Sequence, residues 1–130
     1  MAENKKLILL IEDEEFFRQL VATELLDHDF NVIEAVDGKQ ALELWQKHRP
    51  DLVILDILLP QMNGFELMKV IRENVKNNFN NAPVIVLSNL WSREDIDKIS
   101  KYKIADYLIK AHNSIDDVLA RINQVLEKQK

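Results

Sequence analysis

The stretch Leu52-Val53-Ile54-Leu55-Asp56, followed by a turn at Asn63-Gly64, decides the fold. Its first four residues are all apolar and two are β-branched, a pattern typical of a strand buried on both faces. Such strands lie at the centre of parallel sheets that helices cover on both sides. In open sheets of this kind, ligands bind outside the carboxyl ends of the strands. Asp56 stands at that end, where it can be a helix cap, a turn residue or a functional group.

Length and composition narrow the class of protein. The 130 residues predict a single domain over 1–130, and 47% hydrophobic with 30% charged residues is usual for a globular protein. The net charge of −5 argues against direct binding to nucleic acid, which requires clustered Lys and Arg. The absence of Cys excludes disulfides and thiolate metal sites. The apolar run from Leu7 to Ile11 is too short for an export signal or a membrane span, so we expect a cytoplasmic protein.

Apolar runs and amphipathic segments alternate along the whole chain. We expect strands at Leu7 to Ile11, Asn31 to Val36, Leu52 to Asp56, Pro83 to Leu87 and Ala105 to Ile109. We expect helices at Glu14 to His28 (with Phe17, Leu20, Val21 and Leu25 at helical spacing), Lys39 to His48 (with Ala41, Leu42 and Trp45 inward), Phe65 to Val75, after Ser92, and after Ser114 to the C-terminal lysines. Residues 76–81 are Asn-rich and predict a mobile surface loop. Strict strand–helix alternation predicts an α/β fold with a doubly wound parallel sheet.

Polar residues follow four of the five predicted strands. Glu12 and Asp13 follow the first strand, Asp56 ends the third, Ser88 follows the fourth and Lys110 follows the fifth. Each has an ordinary interpretation as a cap, a turn residue or a solvated charge. If the strands are parallel neighbours, however, these side chains meet at one edge of the sheet. Crowded carboxylates raise one another's pKa unless a cation is bound, and an all-oxygen cluster suits Mg²⁺.

Phosphoryl transfer onto a carboxylate fits this set of groups. An Asp can act as the nucleophile and form an aspartyl-phosphate, and catalysis then depends on positioning and on neutralising the phosphoryl oxygens. Asp56 is the predicted nucleophile. We expect Asp13, Asp56 and the backbone carbonyl of Leu58 to bind Mg²⁺, with Glu12 acting through water. Lys110 and the hydroxyl of Ser88 are expected to contact the remaining phosphoryl oxygens.

Four segments of the chain resemble the receiver domain of bacterial two-component response regulators: residues 8–14 (ILLIEDE), 51–67 (DLVILDILLPQMNGFEL), 83–88 (PVIVLS) and 105–110 (ADYLIK). The resemblance covers nearly the whole chain. It implies a flavodoxin-like (βα)5 fold with strand order 2-1-3-4-5, and a sensor histidine kinase as phosphodonor. It also implies that Ser88 and Tyr107 form a switch pair, in which the hydroxyl moves toward the phosphoryl group and the ring turns inward.

Three positions depart from the receiver pattern. Receivers usually have Pro after the Lys, in a cis peptide, but Ala111 follows Lys110 here. The residue after the switch hydroxyl is usually small, and Asn89 is expected to crowd the phosphoryl site. Lys103-Ile104 occupy a place where a Gly-containing turn is common. None of these departures removes a reacting group.

Two other functions remain open at this point. A pseudo-receiver keeps the fold as an interaction module that is not phosphorylated in the cell. A small Mg²⁺-dependent phosphatase with an Asp nucleophile is disfavoured, because Leu58 stands where that chemistry needs a second Asp. Whether the chain counts as an enzyme depends on this choice, since a receiver catalyses only its own phosphorylation and dephosphorylation. The chain can be a stand-alone regulator or part of a longer protein.

The partner surface is expected on the fourth helix, fifth strand and fifth helix, which can bind a downstream protein or support a phosphorylation-dependent homodimer. Asp106 and Arg121 match positions that pair across such dimers in one receiver subfamily. Ile96 stands where that subfamily has Lys, so the match is partial. Solvated surface charges explain the same residues equally well.

Overall fold

The computed structural model describes residues 4–74, 76 and 78–129, and in them five β-strands alternate with five α-helices. The strands are β1 (Leu7–Ile11), β2 (Asn31–Ala35), β3 (Leu52–Leu55), β4 (Val84–Ser88) and β5 (Asp106–Ile109). The helices are α1 (Glu15–Asp27), α2 (Gly38–His48), α3 (Gly64–Glu73), α4 (Arg93–Ser100) and α5 (Ile115–Glu127), and a 3₁₀ turn at Lys110–His112 precedes α5.

The five strands form one parallel sheet in the order β2-β1-β3-β4-β5. This is the doubly wound order that the sequence predicted through its resemblance. The central strand β3 is buried throughout, because helices pack on both faces of the sheet. No helix in the described part of the chain combines the length and apolarity that a bilayer crossing needs.

Alternation of side chains along the strands divides the core into two layers. Ile8 and Leu10 of β1 belong to the layer against α1 and α5, whereas Leu9 and Ile11 belong to the layer against α2, α3 and α4. All four are at most 1% exposed. Full burial of such a side chain stabilises a fold by about 1.5–3 kcal/mol. Both faces of β1 therefore contribute to the core, which leaves its carboxyl end as the place for polar groups.

Glycine shapes the turn that follows β3. The N–H of Gly64 donates to the carbonyl of Ile57 at 2.8 Å, and a Cβ at Gly64 would lie 2.7 Å from the Cα of Ile57. Asn63 then begins α3 with a capping box, accepting from the N–H of Glu66 while the Glu66 carboxylate accepts from the N–H of Asn63. This close backbone approach holds the loop after Asp56 against the start of α3.

Side-chain caps also begin the helices α2, α4 and α5. Asp37 accepts from the N–H of Gln40, and Ser92 accepts from the N–H of Asp95. Ser114 and Asp117 form a reciprocal capping box at α5. The predicted element bounds differ from the observed ones by one or two residues at most of the ends that the structure describes, because helix and strand ends fray. The predicted helix end at Val75, the loop residue Asn77 and the terminal Lys130 lie outside the described residues.

One apolar position of α1 and one residue of the loop over 76–81 contact the core in ways that the spacing does not show. Leu20 shares the helical spacing of Val21 and Leu25, yet it is 42% exposed, since Val21 and Leu25 already cover the sheet at this part of α1. The mobility expected for the loop over residues 76–81 stays a prediction, and Asn80 near its end bonds to the core. The Asn80 carboxamide accepts from the indole N–H of buried Trp45 at 2.9 Å and donates to the carbonyl of Pro50 at 2.7 Å.

Candidate functional site

The register of the sheet brings the polar strand ends together. Ile11 pairs with Leu55 across β1 and β3, so Glu12 and Asp56 leave the sheet side by side. Ser88 pairs with Ile109 across β4 and β5, so Lys110, the next residue after Ile109, stands opposite the position that follows Ser88. Because parallel strands point the same way, these groups from distant parts of the sequence share one edge.

Asp56 is the centre of this edge, and it is only 6% exposed. Its Oδ1 accepts from the hydroxyl of Ser88 at 2.7 Å and from the N–H of Leu58 at 3.2 Å. Its Oδ2 accepts from the ammonium of Lys110 at 2.7 Å. Both carboxylate oxygens are thus held by donors, which fixes the orientation of the group.

Glu12 and Asp13 complete an acidic cluster with Asp56. One carboxylate oxygen from each of the three lies within 4.8 Å of the others. Glu12 is 2% exposed, and its Oε1 lies 2.5 Å from the ammonium of Lys110, whereas Asp13 is exposed. The donor set is three carboxylates without His or Cys, which is the chemistry that Mg²⁺ prefers. The residues that are present therefore fit this ion.

Burial and mutual charge set the protonation of the two groups beside Asp56. Burial raises the pKa of Glu12; the hydrogen bond from Lys110 lowers it and the charge of Asp56 raises it, and the net shift is upward. Burial alone would lower the pKa of Lys110, but its bonds to Asp56 and Glu12 outweigh that effect and raise the pKa. Lys110 is therefore a firmly charged ammonium that balances two buried carboxyl groups.

Phe17 contributes a contact that the sequence did not reveal. The Lys110 ammonium lies 4.6 Å from the centre of the Phe17 ring, in the range of a cation–π interaction. The helical spacing of α1 indicated only that Phe17 is an apolar core position. Its place beside Lys110 depends on how α1 packs against β1, β2 and α5, which the spacing does not encode.

The predicted switch residues are joined through the loop after β4. The N–H of Leu90 donates to the hydroxyl oxygen of Ser88 at 3.3 Å, and the hydroxyl of Tyr107 donates to the carbonyl of Leu90. Burial, with the negative charges of Asp95 and Asp56, raises the pKa of Tyr107 to about 12. A continuous path of hydrogen bonds thus runs from Asp56 to the tyrosine.

The three departures from the receiver pattern have defined structures. Among the described residues there is no cis peptide bond, so Lys110–Ala111 is trans. Lys103 adopts a positive φ of 59°, the conformation for which Gly is usual. Asn89 is exposed, and its Oδ1 accepts from the N–H of Ala111 at 3.1 Å. This hydrogen bond directs the Asn89 side chain to the neighbouring loop rather than to Asp56.

Comparisons with known proteins agree with this geometry. A sequence model of the family described as response regulator receiver domain matches residues 8–123. The response regulator ArlR of Staphylococcus aureus is 32% identical over 124 residues, which cover 94% of this chain and 53% of ArlR. The chain thus spans about half the length of the curated relatives it matches.

Solved structures show the same fold. The receiver domain of the Francisella response regulator 1452 has a TM-score of 0.86 at 31% identity, covering 97% of this chain and 100% of that one. The Vibrio cholerae chemotaxis protein CheY4 has a TM-score of 0.83 at 28% identity, covering 93% and 98% respectively. The family match includes the acidic cluster and residues of all five strands, and the chain belongs to the response regulator receiver domain family.

Proposed function

We propose that this chain is a phosphoacceptor switch in which Asp56 receives a phosphoryl group from a sensor histidine kinase. The observation that carries the proposal is the position of Asp56, buried at the end of the central strand with Ser88 and Lys110 donating to its two oxygens. These are the groups that a phosphoryl oxygen on Asp56 would meet. Receiver domains as a family interact with histidine kinases, which supports this donor.

The transfer makes one bond and breaks another. A carboxylate oxygen of Asp56 bonds to phosphorus while the P–N bond to the kinase histidine breaks, and its electron pair stays on the imidazole nitrogen. The Lys110 ammonium, released from Oδ2, neutralises one phosphoryl oxygen, and the Ser88 hydroxyl donates to another. Catalysis consists of positioning and charge neutralisation, and the chain has no separate substrate to turn over.

Asp13, Asp56 and the backbone carbonyl of Leu58 are the proposed magnesium ligands, with Glu12 acting through water. Receiver domains bind Mg²⁺ in their acidic site, and the three-carboxylate cluster supports the same site here. When bound, the ion supplies positive charge against the phosphoryl oxygens. Lys110 orients two of the carboxylates, because its ammonium contacts both Glu12 and Asp56.

The switch is proposed to run through Ser88, Leu90 and Tyr107. A phosphoryl group on Asp56 offers the Ser88 hydroxyl a new acceptor, and the N–H of Leu90 is bonded to that same hydroxyl oxygen. Tyr107 then follows through its bond to the Leu90 carbonyl. A phosphoryl group can shift the equilibrium between two arrangements of the switch only if its contacts differ between them. The hydrogen bonds along Ser88, Leu90 and Tyr107 are proposed to provide that difference.

Intact mass after treatment with acetyl phosphate and Mg²⁺ tests the proposal. We expect one phosphoryl adduct on the parent and none on Asp56→Asn. Asp37→Asn is the matched control, because Asn caps α2 as well as Asp does. Labelling of Asp56→Asn at the parent yield would overturn the assignment. An unlabelled but folded parent would favour a pseudo-receiver, and turnover of a phosphate ester would favour a phosphatase.

The partner face is proposed to be α4-β5-α5, which binds a downstream protein or a second copy. Arg121 forms an ion pair with Asp106 within the chain, so a dimer that uses these residues must exchange that pair for an intermolecular one. We expect beryllofluoride with Mg²⁺ to increase the sedimentation coefficient at concentrations well above micromolar. A monomer in both states would reject the homodimer and leave a downstream protein as the partner.

A further inference from the structure

A single side chain links the loops that follow β4 and β5. Asn89 Oδ1 accepts from the N–H of Ala111 at 3.1 Å. The backbone ladder between these strands ends with the pair Ser88 and Ile109, so this bond extends the connection beyond the last paired residues. It joins the residue after Ser88 to the residue after Lys110.

The donor in this bond would otherwise lack an acceptor in its own turn. Lys110–His112 form a 3₁₀ turn, and the first N–H groups of a helical turn have no partner inside it. Ile109, at the N-cap, provides no side-chain hydrogen bond. Asn89 therefore caps the turn from the loop that follows β4. Both residues are needed, since Pro at 111 would have no N–H and Ala at 89 would have no acceptor.

The bond closes a ring around Asp56. Ser88 donates to Asp56 Oδ1 and Lys110 donates to Oδ2, each at 2.7 Å, and the next residues, Asn89 and Ala111, are bonded to each other. A displacement of the Lys110 loop must therefore stretch the bond to Asn89. Likewise, movement of Ser88 toward a phosphoryl group moves its neighbour Asn89 and, through it, the Lys110 loop.

We propose that Asn89 is a positioning residue that holds the Lys110 ammonium on Asp56 and couples its movement to that of Ser88. This inference rests on the proposed phosphoacceptor function. Asn89 acts through Lys110 and does not itself contact the reacting carboxylate. One hydrogen bond of this kind corresponds to about a two- to tenfold effect on a rate or equilibrium.

A double-mutant cycle tests the coupling through the rate of phosphorylation by acetyl phosphate with saturating Mg²⁺. We expect Asn89→Ala to slow the parent about two- to tenfold and to have no effect in a Lys110→Met background, because the group that it positions is then absent. An equal loss in both backgrounds would overturn the proposal, as would an unchanged rate for Asn89→Ala. Melting curves establish that each variant is folded.

Two further variants separate the bond from the bulk of the side chain. Asn89→Leu keeps the size but removes the acceptor, so we expect it to be as slow as Asn89→Ala. If Asn89 only crowds the site, Asn89→Ala is faster than the parent and Asn89→Leu is not. Asn113→Ala is the matched control, because Asn113 donates to the carbonyl of Ile109 at 2.9 Å without reaching β4. An equal loss of phosphorylation rate in Asn113→Ala would show that Asn89 only stabilises the loop and would overturn its positioning role.

Hydrogen exchange at the Ala111 amide tests the bond itself without phosphorylation. We expect faster exchange in Asn89→Ala and protection restored in Asn89→Asp, which keeps an oxygen at the same place. Unchanged exchange in Asn89→Ala would refute the bond. A parent that is never labelled at Asp56 would instead refute the phosphoacceptor function, so the two failures are distinguishable.

Discussion

Replacing Lys110 by Met would remove the positive charge between two buried carboxyl groups while keeping an unbranched chain against Phe17. The side chains of Lys110, Glu12 and Asp56 are 13%, 3% and 7% exposed, so the ion pairs are largely shielded from water. Breaking a buried pair by removing one partner costs about 3–5 kcal/mol. Asp56 keeps its bonds from Ser88 and Leu58, so we expect Lys110→Met to lower the free energy of unfolding by the low end of that range, about 3 kcal/mol.

The loss of stability in Lys110→Met should depend on pH, because the pKa of Glu12 is raised above its ordinary value of 4.5. A group whose pKa is raised in the folded state stabilises the fold fully below its ordinary pKa, at about pH 4.5 for Glu12. This stabilisation is lost as the pH rises through the folded-state pKa. Lys110 is a contact that lowers the pKa of Glu12, so its removal raises that pKa further. The difference in the free energy of unfolding between variant and parent should therefore be larger at pH 7.5 than at pH 5.5.

Urea unfolding at pH 7.5 and pH 5.5 without Mg²⁺ measures both effects. With a slope of about 1–3 kcal/mol per molar urea, a loss of 3 kcal/mol lowers the midpoint by about 1–3 M. Lys98→Met is the control, since Lys98 is exposed and lies 4.2 Å from the centre of the Phe65 ring. A loss below about 1 kcal/mol at pH 7.5, or a difference that does not narrow on acidification, would refute this electrostatic reasoning.

Two further predictions concern the metal site and the switch. Asp13→Asn should weaken Mg²⁺ binding, slow phosphorylation and raise the melting temperature of the metal-free protein, because it removes one of three crowded charges; an unchanged magnesium titration or a lower melting temperature would contradict it. Acrylamide quenching should report activation through Trp91, which is 66% exposed, while Trp45 is fully buried and thus shielded from acrylamide. We expect beryllofluoride with Mg²⁺ to change the quenching, and Ser88→Ala to abolish most of the change; equal changes in both proteins would disconnect the Ser88 hydroxyl from the loop.

Much of the site was predictable because it lies at strand ends. An apolar run that stops at a polar residue is visible in the sequence, and parallel alternation implies that such ends share one edge. Glu12, Asp13, Asp56, Ser88 and Lys110 were identified in this way, and the structure brings them together. Their roles in phosphoryl transfer remain predictions until labelling is measured.

Some features could not be read from the sequence, because they depend on how separate elements pack. Phe17 reads as a core residue of α1, and only the docking of α1 places its ring against Lys110. Leu20 follows the apolar spacing yet is exposed, since spacing does not say how wide a face the sheet covers.

The sequence by itself determined the order of elements, the two-sided burial of the sheet and the acidic cluster, because these follow from local periodicity and from where apolar runs end. Only the tertiary structure decided how Asn89 and Ala111 are used. In the sequence they are two separate departures from the receiver pattern, 22 positions apart. In the fold an amide donor without a partner in its own turn meets a carboxamide acceptor from the loop after the neighbouring strand, because β4 and β5 end side by side.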